Sequence, residues 1–148
     1  MSSTYLSLHY HLVFSTKERQ PMMSAALRPR LHDYLAGTVF GLEGHCRAVG
    51  GTADHVHLLV GLMATHKLAD FMRELKKASS FWARENTPEH GLTWQEGYAA
   101  FTVSASGVGE VKEYIANQEQ HHRARDFREE LKMLLEKSGV SFDPRFLD

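Results

Sequence analysis

The stretch His45-Cys46-Arg47-Ala48-Val49-Gly50-Gly51-Thr52-Ala53-Asp54-His55-Val56-His57-Leu58-Leu59-Val60 decides the reading of the fold. It holds two runs of strand character, His45 to Val49 and Asp54 to Val60, separated by the turn signal Gly50-Gly51, and so reads as two strands in tight connection. On its N-terminal side, Leu27, Leu31, Tyr34, Leu35, Thr38, Val39 and Leu42 recur at helical spacing over Ser24 to Leu42, with Pro29 suited only to a first turn. Before that helix, Leu6, Leu8, Tyr10, Leu12 and Phe14 alternate from Tyr5 to Phe14, which predicts a half-buried strand with His9 and His11 on its other face. On the C-terminal side, Thr65 is the expected cap of a helix from His66 to about Glu85, with Leu68, Phe71, Met72, Leu75 and Trp82 as its buried stripe. Tyr98 to Ser104 has the alternation and β-branched content of a fourth strand.

Beyond it, Gly107-Val108-Gly109 reads as a flexible joint, followed by a helix from Glu110 to about Arg123. Asp126, with Glu129 three residues on, opens a last helix through Lys137, and Gly139 stops it. The order βαββαβ is that of the split βαβ, ferredoxin-like arrangement: an α+β fold with an antiparallel sheet and helices on one face, extended by a tyrosine-bearing helix and a further helix. Residues 1–106 would form this core and 107–148 the C-terminal helices of one domain spanning 1–148. Helices on one face leave the other open, and sheets of this topology use that face to bind nucleic acid.

Composition bounds the function. With 148 residues, 43% of them apolar, the chain can bury the core of one domain. Its longest apolar runs, such as Val56 to Leu62, fall far short of the roughly 18 residues a membrane-spanning helix needs, and Met1-Ser2-Ser3-Thr4 lacks the features of a signal peptide. The expectation is a cytoplasmic protein with no membrane contact. Cys46 is the sole cysteine, which excludes an intrachain disulfide. The 17 basic and 18 acidic residues leave no global basic footprint, so any attraction for nucleic acid must be local.

The chemistry-bearing residues fall into two groups. His55 and His57 sit two apart in an expected strand, so both rings leave one face about 6.5 Å apart at the backbone, close enough to converge on one metal ion. Val56 and Leu58 then point to the core, and Asp54 points away from His55 as a turn residue. Tyr114 and Gln118 sit four apart in an expected helix and share one of its faces, with His121 and His122 a turn further on. Taken singly, an alternating histidine pair is more often merely solvent-facing, and such a tyrosine is more often a packing residue. Together they make a metal-plus-nucleophile arrangement suited to attack on a phosphate, in which the Gln118 carbonyl oxygen can be a third ligand. A phenol of ordinary pKa, about 10, needs a base or a nearby cation to act as nucleophile at neutral pH.

Five stretches of the chain resemble, in order, one known family. Asp54-His55-Val56-His57-Leu58-Leu59-Val60 resembles the histidine-hydrophobe-histidine strand of the HUH-class single-tyrosine transposases of the insertion sequence 200/605 group. Tyr114-Ile115-Ala116-Asn117-Gln118 resembles their tyrosine-x-x-x-glutamine helix. Tyr10 to Lys17 is similar to the first strand of the family, Trp94 to Tyr98 to the approach to its last strand, and Gln118 to Arg123 to the end of its helix. The resemblance implies a DNA transposase that cuts and rejoins single-stranded DNA through a 5′-phosphotyrosine. It implies Tyr114 as nucleophile, with His55, His57 and Gln118 holding Mg2+ or Mn2+. It also implies single-stranded DNA with hairpin ends as substrate and a homodimer whose subunits share their active sites. The metal identity comes from the resemblance, since imidazoles by themselves favour zinc, copper, iron or nickel over magnesium.

For the backbone of the DNA, Lys17 and Arg19 after the first strand, Lys76 and Lys77 on the second helix, and Arg123 beyond the tyrosine are the candidate phosphate contacts. A strand at Tyr98 to Ser104, if at a sheet edge, would offer a surface for pairing with a second copy. Three alternatives stay open at this level. A non-catalytic module would bind hairpin nucleic acid but form no covalent adduct, a domesticated HUH enzyme would process chromosomal repeats, and a hydrolase using water would survive loss of Tyr114.

Overall fold

The computed structural model of the chain describes residues 3–87, 91–122 and 125–147. Four strands, β1 (His9–Ser15), β2 (His45–Gly51), β3 (His55–Gly61) and β4 (Ala99–Val103), form a sheet of order β2-β3-β1-β4. Every neighbouring pair is antiparallel, as the split βαβ order requires. Helices α1 (Leu27–Gly41) and α2 (Leu68–Asn86) cover one face. Leu31, Leu35 and Val39 of α1 and Phe71, Met72 and Leu75 of α2 close there over Leu12, Phe14, Val56, Leu58 and Val60. Trp94 packs edge-on against Phe14 in this core, and its indole nitrogen donates to Ser79 at 3.0 Å.

The second face is also covered. Helices α3 (Val108–Ala116), α4 (Gln118–His121) and α5 (Phe127–Lys137) follow β4, and the first of them docks on β2 and β3. Ile115 and Phe127 are buried there with Val13 and Leu59. As a result β3 is buried along nearly its whole length, on both faces. Among the described residues, no helix is long and apolar enough to cross a membrane.

Several expected boundaries move, each for a local reason. The first strand begins at His9, because Tyr5 and Leu6 project into solvent. Thr65 does not cap α2, whose N-terminal flank is Lys67 without a side-chain cap. The expected continuous tyrosine helix breaks at Asn117, which leaves helical geometry between α3 and α4. Its start also shifts, so that Gly109 lies inside α3 and only Gly107 belongs to the connection. Asp126 does cap α5, accepting from the Glu129 amide at 2.9 Å, and Gly139 ends it with a φ of 70°.

The correction with most bearing on function concerns Gly50-Gly51. Both glycines lie inside β2, and the turn is made by Thr52 to Asp54. A Cβ on Gly50 would stand 2.2 Å from the carbonyl oxygen of Ile115, and one on Gly51 2.2 Å from that of His55. The pair is therefore demanded by close backbone approach, at Gly50 by the helix that carries Tyr114.

Candidate active site

Alternation along β3 puts Val56 and Leu58 in the core and turns His55 and His57 to the opposite face, both 0% exposed. Each imidazole is held through Nδ1. His55 Nδ1 donates to Asp54 Oδ1 at 2.8 Å, so Asp54 does not point away as expected; it lies in the turn, where its carboxylate folds back onto the ring. His57 Nδ1 meets Nε2 of His11, which reaches over from β1, at 2.7 Å. Their Nε2 atoms are thereby left aimed at a common point.

That point is occupied by Glu130. The apolar stripe of α5, formed by Phe127, Leu131, Leu134 and Leu135, also carries this acid, and docking the stripe buries its carboxylate completely. Oε1 accepts from Nε2 of His57 and of His122, each at 3.0 Å, and pairs with Nε2 of His55 at 3.3 Å. Oε2 accepts from the Tyr114 hydroxyl in a short hydrogen bond and from Gln118 Nε2 at 3.0 Å. Gln118 Oε1 faces His55 Nε2 at 3.0 Å. Phe127 stacks on the His55 ring and His121 on the Tyr114 ring, with centroids 4.4 and 4.6 Å apart. The break at Asn117 thus leaves Tyr114 and Gln118 on one side, joined at one carboxylate.

The electrostatics follow from burial and these bonds. Burial alone would lower the His55 imidazole, but hydrogen bonds to Asp54, Glu130 and Gln118 push it up to about 9, so it is a cation at neutral pH. For His57 burial prevails over the attraction of Glu130, and for His11 burial acts with the neighbouring His57; they fall to about 4 and about 3 and stay neutral. Burial favours a protonated Glu130, yet hydrogen bonds from His122, His55 and His57 hold it well below the usual carboxylate range. Burial, the hydrogen bond to Glu130 and its charge all raise the Tyr114 phenol above its ordinary value. Without a cation the phenol is held neutral.

The donor set fits a divalent ion. His55, His122 and Glu130 each offer a ligand atom within 4.8 Å of the others, and His57 Nε2 and Gln118 border the same point. Asp54 and His11 fix the outer nitrogens of the two strand histidines, as partners of metal-binding imidazoles do.

From the sequence His55, His57, Tyr114 and Gln118 come together, whereas Glu130 and Asp54 do not join them, His11 shares their face only if β1 neighbours β3, as it does, and His122 has no assigned role. One signal was legible: Glu130 is an acid three residues after Phe127 and four before Leu134, on the apolar side of its helix. The candidate DNA contacts are scattered. Lys17 is exposed at the end of β1 where Ser15 pairs with His55. Arg19 lies in the same short turn and Lys77 is exposed on α2. Lys76 donates to the backbone oxygens of Gln95 and Gly97, both at 2.7 Å, and so ties down the loop before β4. Arg123 lies outside the described residues.

Similar proteins point to one family. The family profile described as "Transposase IS200 like" matches residues 4–118. The ISDra2 transposase TnpA of Deinococcus radiodurans is 31% identical over 119 residues, spanning 75% of this chain and 84% of the relative. Among solved structures, a transposase-like protein of Deinococcus radiodurans R1 aligns with a TM-score of 0.64 at 28% identity, over 80% of this chain and 96% of its own. A REP-associated tyrosine transposase, solved bound to a REP hairpin, aligns with a TM-score of 0.60 over 82% of this chain and 74% of its own; at 13% identity this is a likeness of fold.

Proposed function

Because the chain belongs to the IS200-like transposase family, we propose that it cleaves and rejoins single-stranded DNA with Tyr114 as covalent nucleophile and His55, His57 and Gln118 as metal ligands. It is a DNA transposase, and therefore an enzyme. The observation that carries the finer reading is the meeting of Tyr114, Gln118 and both strand histidines at one buried carboxylate.

In the proposed reaction the Tyr114 oxygen attacks the scissile phosphorus. The tyrosine O–P bond forms, the bond to the 3′ oxygen breaks, and the phenol proton leaves along the hydrogen bond to Glu130 Oε2. The 5′ phosphate stays on the protein, and the departing oxygen takes a proton from solvent to become a 3′-hydroxyl. A 3′-hydroxyl attacking the phosphotyrosine reverses these changes, so bond energy is conserved and no nucleotide cofactor is needed. A bound Mg2+ or Mn2+ would supply positive charge to polarise a non-bridging phosphate oxygen and stabilise the phenolate. His55 and His57 are fully buried, so the phosphate approaches past the partly exposed Tyr114, His121 and His122.

The substrate in this reading is single-stranded DNA with hairpin ends in the cytoplasm, with Lys17, Arg19, Lys77 and Arg123 as proposed contacts to its backbone and Lys76 a weaker candidate. A homodimer belongs to the same proposal. Strand β4 lies at the sheet edge, and pairing it with its copy would satisfy that edge. Within one chain Tyr114 reaches its own histidines; sharing of sites would require α3 to cross to the partner about the connection at Gly107. Mixing Tyr114→Phe with His57→Ala chains tests this, since only shared sites regenerate one complete centre.

The deciding experiment incubates the protein with single-stranded hairpin DNA and Mn2+ and maps any adduct by mass spectrometry. A 5′-phosphotyrosine at Tyr114, lost in Tyr114→Phe, is expected. Continued cleavage by that variant without an adduct would refute the nucleophile.

A further inference from the structure

We infer that Glu130 and His122 are themselves ligands of the metal centre, with Glu130 binding the ion through Oε1 while holding Tyr114 through Oε2. This rests on the reading of His55 and His57 as the metal site and extends it with residues beyond the stretch the family profile matches, which ends at Gln118.

Three observations carry it. First, the convergence is that of a coordination site: Nε2 atoms of His55, His57 and His122 approach one carboxylate oxygen at 3.3, 3.0 and 3.0 Å. An ion at ordinary ligand distances of about 2.1 Å from imidazole nitrogens would sit against that oxygen. Second, the positions are built for it. Glu130 is fully buried on an otherwise apolar helix face, with Oε1 turned to the three imidazole nitrogens. His122, one turn after Gln118, has its backbone amide on the Gln118 carbonyl at 3.1 Å, so both side chains are carried to the same side. Third, the ligand chemistry improves. Three imidazoles and an amide oxygen favour zinc or copper, whereas an anionic oxygen moves the set toward manganese and magnesium. Glu130 therefore bears on which ion the enzyme uses.

The carboxylate also links ion and nucleophile. One oxygen faces the histidines and the other accepts from Tyr114, so an ion drawing on Oε1 lies one carboxylate away from the phenol.

Mn2+ binding to the full chain without DNA tests this, followed by titration calorimetry and by the electron paramagnetic resonance signal of free Mn2+. Glu130→Gln keeps shape and removes charge; it should weaken Mn2+ at least about tenfold and weaken Zn2+ less, while Glu130→Asp recovers part of the loss. His122→Ala, at a partly exposed site, should also weaken Mn2+, and it serves as the readout if circular dichroism shows Glu130→Gln to be unfolded. If His57→Ala abolishes Mn2+ binding while a folded Glu130→Gln and His122→Ala bind as the wild type does, the inference is overturned and the underlying site stands. If His57→Ala has no effect, or the wild type shows no saturable binding, the underlying reading fails and takes this inference with it.

Discussion

The hydroxyl of Tyr114 donates to the carboxylate of Glu130, sixteen residues downstream on α5, so the proposed nucleophile is held by the acid that also gathers the histidines. This pairing makes the phenol harder to ionise in the metal-free chain. An ultraviolet difference titration of wild type against Tyr114→Phe should show Tyr114 ionising above the ordinary tyrosine range near 10. Saturating Mn2+ should bring the ionisation to lower pH; a Tyr114 that titrates ordinarily and ignores the metal would contradict the arrangement.

Stability without metal should peak near neutrality. His55 binds its proton more tightly when folded, so its contribution is complete below about pH 6.5, the unfolded value, and is lost as pH rises through about 9. His57 behaves oppositely: its contribution is present above about 6.5 and is lost as pH falls toward about 4. Melting temperatures measured with chelator across pH 4–10 should decline on both sides by several degrees. Mn2+ should relieve the alkaline limb, because metal ligation replaces the proton on His55.

Asp54 should set the behaviour of His55. Asp54→Asn removes the carboxylate that accepts from Nδ1, and Mn2+ affinity measured by calorimetry should fall about 10- to 100-fold. The same variant should flatten the alkaline decline in melting temperature, since His55 then has less reason to hold its proton. An unchanged alkaline limb would assign that limb to another group.

Gly50→Ala should dislodge the nucleophile from a distance. Its Cβ would meet the Ile115 carbonyl oxygen at 2.2 Å and the Ile115 Cγ2 at 2.9 Å, so α3 must lift from β2. A loss of about 1–3 kcal/mol is expected in chemical denaturation, with adduct formation reduced more than hairpin binding. Gly109→Ala is the control: nothing lies within 4 Å of its Cβ and the residue is helical, so the change should be neutral or slightly stabilising.

Periodicity sufficed for the order of strands and helices along the chain and for the faces of β3, because successive side chains of a strand point to opposite faces even when both are covered. It also sufficed to bring Tyr114 and Gln118 together, as four residues make about one helical turn. It failed where meaning depended on partners distant in sequence. Gly50-Gly51 has the composition of a turn, and only the approach of Ile115 reveals why side chains are excluded there. Glu130 is one acid beside the capping-box Glu129, and its partners come into view only with its helix laid across the histidines. Asp54 sits one residue before the strand, so the alternation of strand geometry does not govern where it points.

The double cover of β3 gives the two halves of the site unequal tenacity. His55 and His57 are riveted to the interior strand, whose amides should be among the slowest to exchange with solvent, because opening them requires breaking pairs with both β1 and β2. Tyr114 rides on a short helix tethered through Gly107 and seated on Gly50. In the proposed reaction Tyr114, with the DNA attached to it, would be the half of the site that moves while the histidine platform stays intact, a division of labour suited to holding one strand end until another arrives.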